Sequence, residues 1–237
     1  MLFGDKMIHF PKSTEVLKKI PKNKFYNIEN CELDRKTVQK FTDYIDSIYI
    51  TNKISKHTIN INPTKNFEEL LVFQVNLKDK KYFEKIEELL EIIDKFIPYP
   101  ILFQIIHNDY KIYKIAHKTK NKIDSNKCIV DIYLTKENFD TENSNMLFNS
   151  NNLDIFYERL LKLFLDDFKI PNTFEDNDDH PEERSFEIEK SIENYKKFRE
   201  RYKELEILEK KVLKEKQPDK QFKIYNEIKR IKKELEK

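Results

Sequence analysis

Leu70-Leu-Val-Phe-Gln-Val-Asn-Leu77 has the pattern of a β-strand. Its first four residues are apolar, and after them Val75 and Leu77 alternate with Gln74 and Asn76. A short apolar run that changes into a two-residue alternation is typical of a strand, because successive side chains of a strand point to opposite faces of the sheet. We therefore predict a strand over residues 70–77.

The segments that follow this strand predict a sheet with packed helices. Residues 82–96 place six apolar side chains on one helical face, namely Phe83, Ile86, Leu89, Leu90, Ile93 and Phe96. Residues 101–106 and 111–116 are two apolar runs joined by a short polar connection, which favours a β-hairpin. Residues 128–134 predict a further strand, and residues 153–168 predict a further amphipathic helix.

The first sixty residues combine predicted helices with extended segments. Ser13 is placed to cap a short helix that ends at Pro21, and Asp34 is placed to cap a helix that continues to Ile48. Residues 49–54 and 58–61 are predicted to be extended. Together with the later segments, this pattern indicates an α+β fold with a mixed sheet of five or six strands and helices packed on it.

The C-terminal part of the chain has a different composition. Six carboxylates within residues 175–183 indicate a solvated acidic linker. We place this linker at residues 171–184, between an α+β domain of residues 1–170 and a helical hairpin of residues 185–237. Apolar residues in the hairpin recur at steps of three and four, namely Ile188, Ile192, Tyr195, Phe198, Tyr202, Leu205, Leu208 and Val212. Gln217-Pro-Asp219 interrupts this repeat, so we predict two antiparallel helices of the coiled-coil type.

The amino-acid composition excludes several classes of function. Gly4 is the only glycine among 237 residues, so the glycine-rich phosphate loops and the dinucleotide-binding fingerprint are excluded. Cys31 and Cys128 form neither a CxxC pair nor a zinc-binding pattern. The formal net charge is only +2, and no apolar run reaches the roughly 18 residues of a membrane span. We expect a cytoplasmic protein that uses no metal, no cofactor and no membrane.

Several short segments are similar to a known protein family. Phe10-Pro-Lys-Ser-Thr-Glu-Val16 is followed by Ile20-Pro-Lys-Asn-Lys-Phe-Tyr26, and Ile97-Pro-Tyr-Pro-Ile-Leu-Phe103 lies farther along the chain. Asn226-Glu-Ile-Lys-Arg-Ile-Lys-Lys-Glu-Leu235 completes the similarity at the C-terminal end. Over nearly its whole length, the chain resembles a bacterial and archaeal family known as domain of unknown function 4391.

This resemblance implies a cellular setting and names no catalytic residues. Members of the family tend to be encoded beside DNA methyltransferases and superfamily-2 helicases of restriction-like, phage-defence gene clusters. The resemblance also implies an acidic residue in the strand of residues 72–77, where this chain has Gln74 and Asn76 instead. This departure counts against a metal-binding role for the strand.

These observations favour a non-enzymatic accessory or adaptor subunit of a restriction-like phage-defence system. The expected partner is a helicase or a DNA methyltransferase, as the resemblance implies. The predicted contact surface is an apolar face of the hairpin formed by Phe186, Ile188, Ile192, Tyr195 and Phe198. The same face would serve a homodimer, which is a second expectation for the hairpin.

A degenerate, Mg²⁺-dependent restriction-type nuclease is the alternative hypothesis. Such sites hold the cation with two or three carboxylates and place a lysine near the attacked phosphate. Glu69, Lys78 and Asp131 are the residues that this hypothesis would use. The acid-x-Lys pattern, however, would require a carboxylate where the chain has Asn76.

Direct contact with nucleic acid is a further prediction for the hairpin. Residues 210–237 carry eleven Lys or Arg residues against five Asp or Glu residues. Clustered cations bind nucleic acid because they release the counterions condensed on its phosphates. The predicted contacts are Lys210, Lys211, Lys214, Lys229, Arg230, Lys232 and Lys233.

Overall fold

The chain divides into two compact units, residues 1–164 and residues 165–237. The computed structural model describes residues 8–26, 33–120, 128–139, 146–165 and 181–235. The first unit is built on a β-sheet, and the second unit is helical. None of the helices within the described ranges is both long and apolar enough to cross a membrane.

The first unit contains a six-stranded sheet whose strands lie side by side in the order of the chain. The strands are β1 (Glu15–Ile20), β2 (Ile45–Ile54), β3 (Leu70–Leu77), β4 (Ile101–His107), β5 (Tyr110–Lys120) and β6 (Cys128–Lys136). Neighbouring strands run antiparallel except β3 and β4, which are parallel. The predicted α+β fold with a mixed sheet is thereby confirmed, with six strands.

Helices and short 3₁₀ turns connect these strands. In the described part of the unit the α-helices are α1 (Arg35–Tyr44), α2 (Lys56–Ile59), α3 (Glu87–Lys95) and α4 (Leu153–Leu165). The 3₁₀ turns cover Lys12–Thr14, Lys22–Phe25, Lys80–Tyr82 and Met146–Asn149.

Helix α3 explains why β3 and β4 are parallel. Two parallel neighbours need a crossover that carries the chain back to the starting edge of the sheet, and a helix is the usual crossover. The apolar face at α3 is fully buried and consists of Ile86, Leu89, Leu90 and Ile93. It belongs to one core cluster with Phe73 of β3 and Phe103 of β4. Each fully buried aliphatic side chain contributes about 1.5–3 kcal/mol, so this contact is a main source of stability.

The opposite face of the sheet is apolar toward one end. Val72, Leu102, Ile115 and Leu134 form one row across β3 to β6, and all four are fully buried. Helix α4 reaches the same face beside β5 through aromatic rings that pack edge to face. Phe164 of α4 packs on Phe139 at 5.1 Å between ring centres, and Phe139 packs on Tyr113 of β5 at 4.9 Å.

The first predicted helix is wrong, because the segment is a strand. Lys12–Thr14 forms a 3₁₀ turn, Glu15–Ile20 is β1, and Ser13 caps no α-helix. The side chain of Asn52 in β2 donates a hydrogen bond of 2.9 Å to the buried Thr14 hydroxyl. Pairing with β2 therefore outweighs the weak local preference of a short segment for helix.

The helix that begins after Asp34 is confirmed at its start and ends earlier than predicted. The Asp34 carboxylate accepts a hydrogen bond of 2.9 Å from the Thr37 backbone N–H, as an N-cap does. Helix α1 ends at Tyr44, and β2 begins at the next residue. A β-bulge in β2 lets Ile45 and Ile48 enter the same core, so their three-residue spacing imitates a helical stripe.

Two other predicted segments need correction. Residues 58–61 are not extended, because Lys56–Ile59 forms the single-turn helix α2, with Ser55 and Thr58 in a capping box. The helix predicted from residue 82 begins only at Glu87, after a 3₁₀ turn.

The remaining predicted elements of the sheet are confirmed. The strand predicted at residues 70–77 is β3, and the predicted hairpin is formed by β4 and β5. The hairpin turn contains only two residues, and Asn108 adopts a φ of 51° there. Asparagine tolerates this left-handed conformation better than most residues, which explains its place in the turn.

The second unit contains two helices, α5 (Pro181–Val212) and α6 (Pro218–Leu235). They run antiparallel, since the Gln221 side chain donates to the Val212 carbonyl oxygen and Arg201 faces Glu234 at 3.6 Å. Their shared core consists of Leu205, Val212, Ile224, Ile228 and Ile231. The two predicted C-terminal helices are therefore confirmed.

Part of the predicted acidic linker is helical. Helix α5 begins at Pro181, so residues 181–184, which the sequence assigned to the linker, belong to the helix. Residues 171–180 of the predicted linker lie outside the described residues.

Candidate functional site

The register of the sheet aligns polar side chains in one row across all six strands. Directly paired residues share a face of a sheet, so the partners in this row point the same way. The row consists of Lys19, Tyr49, Gln74, Gln104, Tyr113 and Lys136. It adjoins the buried row of Val72 and its partners, so this face changes from apolar to polar within one step along the strands.

A chain of hydrogen bonds orders the polar side chains of β2 and β3. The Gln74 amide donates to Asn76 at 3.0 Å, and the Asn76 amide donates to the Ser47 hydroxyl at 2.9 Å. The Ser47 hydroxyl in turn donates to the Asp46 carboxylate at 2.9 Å. Because each group is hydrogen-bonded to the next, the amides of Gln74 and Asn76 have a fixed orientation in the absence of a ligand.

Gln104 extends this polar surface onto β4. It is the register partner of Gln74, and it is half-buried. Its amide makes no hydrogen bond with any of the residues that the structure describes. An amide offers two donors and one acceptor, so Gln104 has its full hydrogen-bonding capacity available to a ligand or to water.

Positive charge accompanies the polar surface. The Lys19 ammonium lies 5.9 Å from the centre of the Tyr49 ring, within the range of a cation–π contact. The Lys22 ammonium donates a hydrogen bond of 2.8 Å to the Ile45 carbonyl oxygen. Burial lowers the pKa of Lys22, the nearby positive charge of Lys78 lowers it further, and Asp46 acts in the opposite direction. Lysines from β1, the turn after β1 and the end of β3 therefore share one positive field.

We use the name amide face for this surface. It comprises Tyr49, Gln74, Asn76 and Gln104 with the flanking cations Lys19, Lys22 and Lys78. The sequence did not identify these residues as a site, because their neighbourhood depends on the pairing of β1 to β4. The only sequence signal was the replacement of an expected acidic residue by amides in β3.

The residues of the nuclease hypothesis are not brought together. Glu69 precedes β3, where it pairs with Lys53, and Lys78 follows the same strand. At about 3.3 Å per residue, the two lie about 30 Å apart along β3. Asp131 lies in β6, three strands away, and its carboxylate is 3.2 Å from Nδ1 of His117. Among the described residues, no three His, Cys, Asp or Glu side chains are grouped so that they could hold a metal ion.

The predicted partner-binding residues of α5 differ in exposure. Phe186 is 67% exposed, whereas Ile188, Ile192 and Tyr195 are buried. Phe198 is half-buried and its ring stacks with that of Tyr202 at 6.3 Å. The five residues therefore do not form one uniformly accessible surface.

The predicted nucleic-acid contacts of the hairpin lie near ends of both helices, and several are paired with acids. Lys210, Lys211 and Lys214 are exposed at the end of α5 and just beyond it. Lys232 forms an ion pair of 2.7 Å with Glu209, and Arg230 lies 3.4 Å from Glu227. Lys229 and Lys233 are exposed on α6. These acids partly offset the positive charge that the sequence placed here.

A buried ion pair lies between α3 and β5. The ammonium of Lys118 donates hydrogen bonds to the carbonyl oxygens of Asp94, Ile97 and Tyr99, at 3.1, 3.1 and 2.8 Å. These bonds use all three N–H groups, so its contact of 2.6 Å with Oδ1 of Asp94 is ionic. The Tyr133 hydroxyl donates to the other carboxylate oxygen. Burial raises the pKa of Asp94, and the Lys118 charge offsets this only in part.

This ion pair anchors the end of α3 and the chain that leads into β4. It was not predicted, because nothing in the sequence distinguishes Lys118 and Asp94 from surface charges. Both side chains are completely buried. We therefore assign a structural role to this cluster, which joins α3 to the sheet.

The geometry defines a class of protein. It is an α+β protein with a six-stranded mixed sheet, one face of which is partly lined by amide side chains, and it carries a pair of antiparallel helices at its C-terminal end. The family model described as Domain of unknown function (DUF4391) matches residues 8–235, so the chain belongs to this family. No curated protein and no solved structure gives a significant match to the chain.

Proposed function

We propose that the chain is a non-enzymatic accessory subunit that binds a helicase or a DNA methyltransferase of a restriction-like phage-defence system in the cytoplasm. Membership of the family supports the setting. The observation that supports the binding role is the placement of exposed apolar side chains. Such side chains are normally scattered over a surface, and clusters of them mark contact sites for other proteins.

The exposed large apolar side chains lie on the two edge strands of the sheet and on the second unit. Among the described residues they are Val16, Leu17, Ile129, Phe186, Tyr202, Ile207, Leu213, Phe222 and Tyr225. Edge strands are the places where a sheet can meet another chain. Two groups of these residues form compact candidates for a partner contact.

The first group is Val16 and Leu17 in β1. A β-bulge interrupts the pairing of β1 with β2 between Glu15 and Lys18. Within the bulge Leu17 has a φ of 43° and is 75% exposed. A branched side chain in the left-handed region costs about 1–2 kcal/mol, and burial of Leu17 within the chain does not repay this cost. Burial of the Leu17 side chain against a partner would offset the free-energy cost of this conformation.

The second group is Phe222 and Tyr225 on α6. Both side chains are more than half exposed and lie three residues apart, so they are neighbours on the helix surface. The core residues Ile224 and Ile228 point to a different side, toward α5. Aromatic side chains contribute strongly to protein interfaces, and this pair is available for one.

The experiment is affinity capture from cells that co-express the tagged chain with the helicase and the methyltransferase of its own gene cluster. We expect one of these proteins to be captured and to stay bound after nuclease treatment. The double variant Phe222→Ser/Tyr225→Ser, or the single variant Leu17→Ser, should reduce capture about tenfold or more, as expected for removal of an interface anchor. Asn226→Ser is the matched control, since Asn226 is exposed on the same helix.

Two results would contradict the proposal. One is capture of neither protein. The other is capture that nuclease abolishes, which would show that nucleic acid bridges the two proteins. Sedimentation of the purified chain at several concentrations tests the second expectation for the hairpin, a homodimer.

A further inference from the structure

We propose that the amide face binds single-stranded nucleic acid. In this arrangement Lys19, Lys22 and Lys78 contact phosphates, and Tyr49, Gln74 and Gln104 contact bases. The residues of this surface differ from the apolar residues assigned to the protein partner. They also differ from the lysines of the second unit that the sequence had suggested for nucleic acid.

The cations select a polyanion. Lys19 and Lys78 are exposed, and Lys22 is held in place by its hydrogen bond to Ile45. The positive charges of Lys78 and Lys19 both act on the Lys22 ammonium. A ligand that brings negative charge relieves this repulsion. Asp46 offsets part of this positive charge at Lys22, and its carboxylate accepts the hydrogen bond of Ser47. The phosphates of a nucleic-acid strand provide the required row of charges.

The central side chains suit bases better than they suit phosphates alone. Amides of glutamine and asparagine have donors and acceptors in the same arrangement as the edges of bases. The Gln74 amide is oriented by Asn76, and the Gln104 amide on the next strand has its hydrogen-bonding groups available. Tyr49 provides a ring on which a base can stack, beside the Lys19 ammonium.

The shape of the surface favours a single strand over a duplex. Tyr49, Gln74 and Gln104 lie on three adjacent strands and span about 10 Å across the sheet. All three are half-buried, so they do not project far enough to reach base edges inside a duplex groove. Unpaired bases can turn outward and lie on a sheet face, and a face of this width accommodates two or three of them.

Fluorescence anisotropy with the full-length chain tests this proposal. The probes are a labelled 20-nucleotide oligothymidine, a labelled RNA of the same length and a labelled DNA duplex. We expect the two single strands to bind at least tenfold more tightly than the duplex. The measurement is repeated from low to moderate salt, so that the charge contribution is obtained from the slope of log affinity against log salt.

Three variants measure separately the contributions of the lysines, of Tyr49 and of the second unit to binding. Lys19→Gln/Lys78→Gln should reduce the salt slope by about 1.4, at about 0.7 for each lysine–phosphate interaction removed. Tyr49→Ala should weaken binding about tenfold and leave the slope unchanged, because stacking carries no charge. Lys210→Gln/Lys211→Gln removes two charges from the second unit and should leave both quantities unchanged.

The proposal is wrong if the chain does not bind either single strand. It is also wrong if the duplex binds equally well, or if only the Lys210→Gln/Lys211→Gln variant loses affinity. Lys19 and Lys78 are exposed, so their substitution does not threaten folding. Thermal unfolding of Tyr49→Ala is measured beside its binding, and weaker binding by a variant that remains folded supports the contact.

Discussion

The stability of the buried ion pair of Lys118 and Asp94 depends on the groups that surround it. A buried ion pair is costly to form, because both charges lose their hydration. Here Lys118 is surrounded by three carbonyl oxygens at the end of α3, in addition to the Asp94 carboxylate. The lysine therefore acts as a clamp that joins the carbonyl of Asp94 in α3 to those of Ile97 and Tyr99 in the segment that leads into β4.

Lys118→Met should destabilise the protein strongly. The substitution leaves Asp94 and the three carbonyl oxygens without their cation, and breaking a buried pair costs about 3–5 kcal/mol. The double variant Asp94→Leu/Lys118→Met should recover part of this loss. It removes the carboxylate that has lost its counterion, but it does not replace the hydrogen bonds that Lys118 gave to the carbonyls of Ile97 and Tyr99. Urea unfolding measures all three proteins, and a single variant as stable as the wild type would refute the clamp.

Asp34 gives a prediction with a defined pH dependence. Hydrogen bonds from Thr37 lower the pKa of Asp34 below its usual value of 3.8. A carboxylate with a lowered pKa in the folded state contributes stability above its unfolded pKa, and this contribution is lost as the pH falls through the folded pKa. The Asp34→Asn variant would retain the cap without the charge. The stability advantage of wild type over Asp34→Asn should therefore be present at pH 6 and close progressively below about pH 4. Thermal unfolding between about pH 2.5 and 6 measures this difference, and a constant difference would contradict the assignment.

At the scale of the element, a continuous apolar run was sufficient to predict a strand correctly, whereas an apolar pattern interrupted by a bulge was not. Strand β3 and the hairpin of β4 and β5 were predicted because their apolar runs have one interpretation. Strand β1 was predicted as a helix, because its structure depends on β2, which is far away in the sequence. The bulge in β2 produced the same kind of error, since it gives a strand the apolar spacing of a helix. The amide face was not predicted for a related reason. Its residues are neighbours because of the strand register, and the register cannot be read from any single segment of the sequence.

The Leu17→Gly variant should show separately the backbone strain of the β1 bulge and the contribution of the Leu17 side chain to the proposed partner contact. Glycine adopts the left-handed conformation freely, so the variant should be more stable than wild type by about 1 kcal/mol. Because the side chain is 75% exposed, little packing is removed. The same variant should capture less of the protein partner. Val16→Gly is the control for stability alone, because Val16 belongs to the same proposed contact. Val16 does not have a positive φ, so this substitution should destabilise the strand.

The free energy of unfolding and the amount of captured partner are measured for both glycine variants. A Leu17→Gly protein that is less stable than wild type would show that the bulge is not strained. Unchanged capture would remove β1 from the proposed contact.

At the scale of the whole molecule, each unit has its own apolar core. The core of the second unit is formed by residues of α5 and α6, and the sheet core is formed by residues of the first unit. Ile231 is completely buried in the helical core. Ile231→Asp would place a charge there, and a buried unpaired charge is among the most disruptive substitutions. We expect the helical pair to open while the sheet remains folded.

Hydrogen exchange followed by mass spectrometry tests this independence. Peptides from residues 200–235 should exchange much faster in Ile231→Asp than in wild type, whereas peptides from β3 and β4 should keep their protection. Lys233→Asp is the matched control, because Lys233 is exposed two residues farther along α6. Loss of protection in β3 would show that the two units unfold together. With protection retained there, the amide face should still bind single-stranded nucleic acid, whereas capture through Phe222 and Tyr225 should be abolished.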